Sequence, residues 1–263
     1  MKTKITSKFL SLLFLAGASV FTACKDDDPD PIPPVVNVLP KLTLELDHLA
    51  GASKFYLDST YTNENGDQFT ATLFKYYISN IRLVKTDNSI VTLPNTYFLV
   101  NQDDEESMAI KMDSLPLGLF KSIKFMIGVD STRNVSGAQT GALDPTNGMF
   151  WSWTTGYIFL KLEGTSPVIP TVSNEFTFHI GGFKGANINY KELEIPFNGD
   201  ILTLNYNKQP ELHFVVDVLE IFKNPTTINL ATFPSTVMSP NASASSLATN
   251  YADMFTYDHM HDE

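Results

Sequence analysis

A single cysteine, Cys24, stands in 263 residues, so no intrachain disulfide can hold this fold. Long apolar runs are missing as well. The longest, Phe9 to Phe14 with Leu15 and Ala16, is far too short to cross a bilayer as a permanent helix, which excludes a multi-pass membrane protein. Basic charge is scarce: 18 Lys and Arg face 29 Asp and Glu, a formal charge of −11. The first 23 residues hold three lysines and no acid, so their removal takes three of those 18 basic side chains and leaves −14. Such a surface repels phosphate backbones, which argues against nucleic acid as a partner. Glycine-rich phosphate loops, a GxSxG elbow and internal repeats are absent too. What is present, 43% hydrophobic and 18% charged residues, is the composition of a globular domain rather than a disordered tail.

The N-terminus reads as an export signal. Lys2, Lys4 and Lys8 precede the short apolar stretch, and Phe21-Thr22-Ala23 places small residues directly before Cys24. This resembles a bacterial lipoprotein signal, in which the cysteine is diacylated and becomes residue one; ordinary cleavage leaving a free thiol is the alternative. Acyl chains on Cys24 would make a lipid anchor the protein's only membrane contact. Residues 24–40 follow as a tether whose acids repel and whose prolines favour extended backbone. The run Lys25-Asp26-Asp27-Asp28 resembles the surface-export signal of Bacteroidetes lipoproteins. That implies an outer-membrane protein exposed at the cell surface, with a periplasm-facing position as the alternative and a plain solvated charge run as the bland reading. The expected organisation is signal 1–23, tether 24–40 and one domain over 41–263.

From Lys41 the hydrophobic period becomes two. Leu42, Leu44 and Leu46 alternate with polar residues, as do Met108 to Met112, Ile123 to Val129, Phe176 to Ile180 and Leu212 to Val218. Turn residues punctuate these runs at Asn63 to Asp67, Asp87-Asn88, Leu115 to Gly118, Gly181-Gly182 and Asn198 to Asp200. No helical period separates successive strands, so the pattern predicts an all-β fold, an antiparallel β-sandwich of two packed sheets. One short C-terminal helix is expected, with Ser239 as cap, Pro240 in the first turn and Leu247, Tyr251, Met254 and Phe255 on one face; the small-residue run from Ala242 to Ala248 also suits a loop.

Five histidines carry the chemical interest, because the domain has no thiolate for a metal. His48 follows the first strand, His179 sits opposite the phenylalanines of its strand, and His213 shares a face with Val215 and Asp217. His259 and His261 form a His-x-His pair, which in extended backbone projects both rings to one side; Met260 adds a thioether suited to Cu(I). Singly, such histidines are more often surface or core residues, and the pair also suits a plain tail. Both tryptophans, Trp151 and Trp153, lie two apart after a turn-rich loop, close to Met149. They suit a core anchor or a sugar-stacking platform equally. Acids such as Asp130, Asp144 and Glu163 show no pairing that would mark a glycosidase, and no enzyme is expected.

The segment Met149-Phe150-Trp151-Ser152-Trp153 with Gly156-Tyr157-Ile158-Phe159 and Glu163-Gly164 resembles the MbnP-like family of methanobactin-associated copper-binding proteins. His48 before Gly51, Tyr76 to Ile81, Ile127 to Asp130, Phe178 to Gly182 and the closing Met254-Phe255 with His259 and His261 match along most of the domain. The resemblance implies a secreted β-rich protein that binds copper through histidines and, in some members, a tryptophan oxidised to kynurenine by a MauG-related di-haem cytochrome. It nominates His48 and His179 as imidazole ligands and Trp151 or Trp153 as the oxidised indole, lined by Met149, while His259 and His261 remain metal candidates on their spacing. The sequence departs from some copper-binding relatives in setting Trp153 and Met149, rather than a histidine, next to Trp151. The competing reading is a non-metal surface module for glycans or proteins, which requires exposed tryptophans.

Overall fold

The structure, a computed structural model, describes residues 37–262 apart from residues 138 and 153. The signal, Cys24, the acidic run and Trp153 therefore lie outside the described residues. In chain order the strands are β1 (Leu42–Ala50), β2 (Ser53–Lys54), β3 (Thr60–Thr62), β4 (Gln68–Lys85), β5 (Ile90–Thr92), β6 (Tyr97–Asn101), β7 (Ala109–Met112) and β8 (Gly118–Ile127). The helical turn α1 (Ser131–Asn134) precedes β9 (Phe150–Ser152), β10 (Gly156–Thr165), β11 (Glu175–Gly181), β12 (Lys191–Pro196), β13 (Leu202–Leu204), β14 (Glu211–Asp217) and β15 (Thr236–Val237). The helix α2 (Ala242–Tyr251) and the strand β16 (Phe255–His261) follow.

Two sheets result. The smaller runs β16-β14-β1-β2, with β7 also on β1; the larger runs β12-β8-β4-β10-β11-β15, with β13 on β8, β3, β5 and β6 on β4, and β9 on β10. This is the expected all-β, sandwich-like fold. Two pairings depart from an antiparallel rule: β1 lies parallel to β14, and β11 parallel to β15.

Alternation explains the interlayer core. Leu42, Leu44, Leu46 and His48 of β1 face inward with Leu212, Phe214 and Val216 of β14, against Phe74, Tyr76, Leu160, Leu162, Phe176 and Phe178 of the large sheet. Phe255 ties the layers together, its ring 5.0 Å from Phe125 and 5.7 Å from Tyr76. A second, smaller core of Tyr77, Val129, Leu143, Met149, Tyr157, Ile158, Phe159 and Phe183 covers part of the large sheet's other face.

Three local expectations change. Helix α2 is capped by Asn241, whose side chain accepts the Ala244 N–H at 2.9 Å, so Ser239 and Pro240 precede it. A strand, β16, follows the helix, and it carries the His-x-His pair. The packed domain also begins before residue 41: Val38 N–H donates to Asn207 Oδ1, Asn207 N–H donates to the Val38 carbonyl, and Pro40 is buried. Among the described residues no helix is long and apolar enough to cross a membrane.

Candidate metal centre

His48 is fully engaged. Its Nδ1–H donates to Gln102 Oε1 at 2.5 Å, fixed because the Gln102 amide NH2 donates to the Phe55 carbonyl, and its Nε2 accepts the Tyr76 hydroxyl at 2.7 Å. Burial drives its pKa down to about 4, against the smaller upward pull of the Gln102 contact and Asp47. The ring is neutral, packed at 5.3 Å from Phe74, and points into the interlayer core. His179 projects from the opposite face of β11 to Phe178, away from that core. The two histidines that the resemblance pairs therefore do not meet.

His179 has other neighbours. Its Nε2–H donates to Glu163 Oε1 at 2.6 Å, across the β10–β11 pair. This leaves Nδ1 buried with no hydrogen-bond partner. Burial holds the imidazole below the usual histidine range, although the Glu163 hydrogen bond pulls upward. Two residues along the same face is Gly181, which has no side chain, and the space is taken by an indole: a Cβ there would lie 2.7 Å from Trp151 Cζ3. The Trp151 N–H is also buried without a partner. The Trp151 indole thus covers Gly181, two residues along the same face of β11 from His179. The parallel register Thr177↔Thr236 and Phe178↔Val237 ends there, and the next residue, Met238, is exposed just past β15. Pro240 continues past Gly182, where a Cβ would come within 3.0 Å of the proline Cβ.

The loop before Trp151 is held from below. Buried Asn134 donates to the Val129 carbonyl at 2.8 Å and accepts the Tyr157 N–H at 2.8 Å, while the Tyr157 hydroxyl donates to the Leu143 carbonyl at 2.7 Å. Met149 is fully buried in the second core, and its carbonyl accepts the Ile158 N–H. Asp130 is structural: its carboxylate caps α1 and accepts the Tyr97 hydroxyl at 2.5 Å. Asp144 caps the turn at Pro145–Asn147.

His259 and His261 lie on the outer face of the small sheet, together with His213 of the neighbouring strand, which sequence reasoning does not join to them. Donor atoms of the three rings all lie within 4.8 Å of one another. Met260 turns the other way and packs against the core, so its thioether does not join them. Two residues thus escape the sequence reading. Alternation places His213 outward, but only the β14–β16 pairing reveals its company; Met238 has no sequence signal, because a two-residue strand leaves no period to read.

A family model described as MbnP matches residues 40–239. Among solved structures, MbnP from Methylosinus trichosporium is 15% identical, with 72% of this chain and 79% of that chain covered and a TM-score of 0.47. A search of curated proteins returns no match. With most of the described domain inside the family match, the chain belongs to the MbnP family.

Proposed function

We propose that this chain is a non-enzymatic cell-envelope lipoprotein that binds copper on the outer face of β11, at His179, Met238 and Trp151, in metal acquisition or handling. The observation that carries the reading is the pair of buried, unpartnered nitrogens, His179 Nδ1 on β11 and Nε1 of Trp151, whose ring lies over Gly181 two residues further along that face. Buried polar atoms without partners are rare, and a nitrogen lone pair kept from both water and protein is a ligand in waiting.

The donor set fits the ion. Glu163 accepts the Nε2–H of His179, which fixes the tautomer and leaves the buried, unpartnered Nδ1 lone pair as the free ligand atom, a carboxylate–histidine arrangement common at metal sites. Met238 offers a thioether, and imidazole with thioether is a combination that copper accepts and hard cations refuse. Bound copper would supply a soft, redox-active centre at the surface. Trp151, as an indole, offers only a donor N–H; oxidised to kynurenine it would present an aromatic amine and a ketone. Family membership supports a di-haem redox partner for that oxidation, with Trp153 as the other candidate. The surface-module alternative requires outward tryptophans, whereas the Trp151 N–H is buried.

Protein purified from its native host tests this directly by metal analysis and peptide mapping. Copper should be present, and the peptide containing Trp151 and Trp153 should carry the kynurenine mass shift. His179→Ala and Met238→Ala should each weaken Cu(I) binding by roughly tenfold or more, in the range seen when metal-site partners are removed. Equal affinity in His179→Ala would remove the site from β11.

A further inference from the structure

We propose that His213, His259 and His261 form a second, separate site for a divalent late first-row ion, Zn2+ or Cu2+, held by three imidazoles with the fourth position open to water. Strand β16 is built to make it. Phe255 and Tyr257 face the core opposite Val216 and Phe214, and uninterrupted alternation would send His259 and His261 inward after them. The register instead jumps from Phe214↔Tyr257 to His213↔His259, leaving Asp258 as the extra residue of a β-bulge. That one residue reverses the phase. His259 and His261 emerge on the outer face beside His213, and Met260 takes the inward position.

The geometry is close to that of a filled site. His259 Nε2 and His261 Nε2 lie 3.2 Å apart. Two nitrogens each about 2.0–2.1 Å from a tetrahedral ion would lie about 3.3–3.4 Å apart. The His261 ring stands at 87° to His213 and 83° to His259, whereas His213 stacks on His259 at 4.4 Å with the planes 7° apart, so the His213 ring must turn out of the stack for all three nitrogens to reach one ion. His213 Nε2 is buried with no hydrogen-bond partner. The bulged Asp258 also orients a ligand, since its carboxylate, at 2.9 Å, accepts the His259 Nδ1–H and so leaves the Nε2 lone pair facing the centre. In the tautomer in which His261 Nε2–H donates into that lone pair, an ion takes the proton's place once the neutral His261 ring shifts that proton from Nε2 to Nδ1. Glu211, 3.9 Å from His213, and Glu45, level with His213 on β1, add negative charge around the rings.

This site is independent of the one on β11. It lies on the other sheet, and two of its three ligands fall after the family match at 40–239. The absence of sulfur and the three nitrogen donors favour Zn2+ or Cu2+ over Cu(I) or Ca2+.

The test is calorimetric titration with Zn2+, Cu2+ and Ca2+ of the intact protein carrying His179→Ala, so that failure of the β11 site and failure of this one are read separately. One Zn2+ or Cu2+ should bind and Ca2+ should not. Adding His213→Ala, His259→Ala or His261→Ala should each weaken binding at least tenfold, with far-ultraviolet circular dichroism unchanged because all three rings face outward. An electron paramagnetic resonance spectrum of the Cu2+-loaded protein should show three coordinated nitrogens. No binding, undiminished affinity after His213→Ala, or two nitrogens or fewer in the spectrum would overturn the site.

Discussion

His48 and His179 are both buried, yet opposite fates follow from their neighbours. His48 has an acceptor on one nitrogen and a donor on the other, so it is complete as a neutral core residue. Its pKa falls from 6.5 to about 4, and the sign of the stability effect follows. Above pH 6.5 the ring is neutral both folded and unfolded, and its contribution is whole. As pH falls from 6.5 towards 4 the unfolded chain takes the proton and the native one resists, so stability is lost by up to roughly 3 kcal/mol. Urea unfolding at pH 7 and pH 4.5 measures this, and His48→Gln should show a correspondingly smaller difference between the two. Gly181 makes the complementary case. A methyl there would lie 2.5 Å from the Tyr157 carbonyl as well as against Trp151, so Gly181→Ala should cost about 1–3 kcal/mol and displace the indole. In a Trp153→Phe background the tryptophan emission should shift accordingly. None of this was legible in sequence: a histidine's type fixes what it can donate or accept, but its partners here come from 54 and 16 residues away.

Strands whose apolar residues alternate with polar ones could be read from the sequence, and β4, apolar on both faces at its middle, could not. The alternations at Leu42 to Leu46, Phe176 to Ile180 and Leu212 to Val216 became β1, β11 and β14 with the predicted residues inward. The long strand β4 gave no clean period because Tyr76, Tyr77, Ile78 and Ser79 are all buried, Tyr76 and Ile78 in the interlayer core and Tyr77 in the second one. The helix was located to within a few residues, but its cap was misplaced: Ser239-Pro240 is a good start signal, and Asn241, with its side chain on the Ala244 N–H, supplies the bond. Asn241→Ala should lower stability by about 1 kcal/mol in thermal or denaturant unfolding. The bulge in β16 is the feature least visible in the sequence, since a one-residue insertion has no signature without its partner strand. Deleting Asp258 should return His259 and His261 to the core-facing phase, costing about 1–3 kcal/mol for each imidazole buried without a partner and moving the unfolding midpoint down accordingly.

For the whole molecule, the proposed lipid anchor bears on where the protein works. The lipoprotein reading rests on Cys24, and replacing it with Ser should move the protein from the membrane fraction to the soluble one, because no other apolar segment of the chain is long enough to anchor it. A variant with Asp26, Asp27 and Asp28 changed to Ala should be less accessible to protease on intact cells if the acidic run directs surface display. The parallel seam between β1 and β14 adds a constraint of a different kind, on time. Thr43 pairs with Glu211, so although β2 and β7 join one edge of β1 early, its other edge waits for a strand 168 residues further on. Pairings of such sequence separation form slowly, since the loop between them must close before any of its contacts are gained. A chain made in order cannot seal this seam until residue 217 has emerged, and because the small sheet also needs β16, at Phe255–His261, it is the last sheet to be finished.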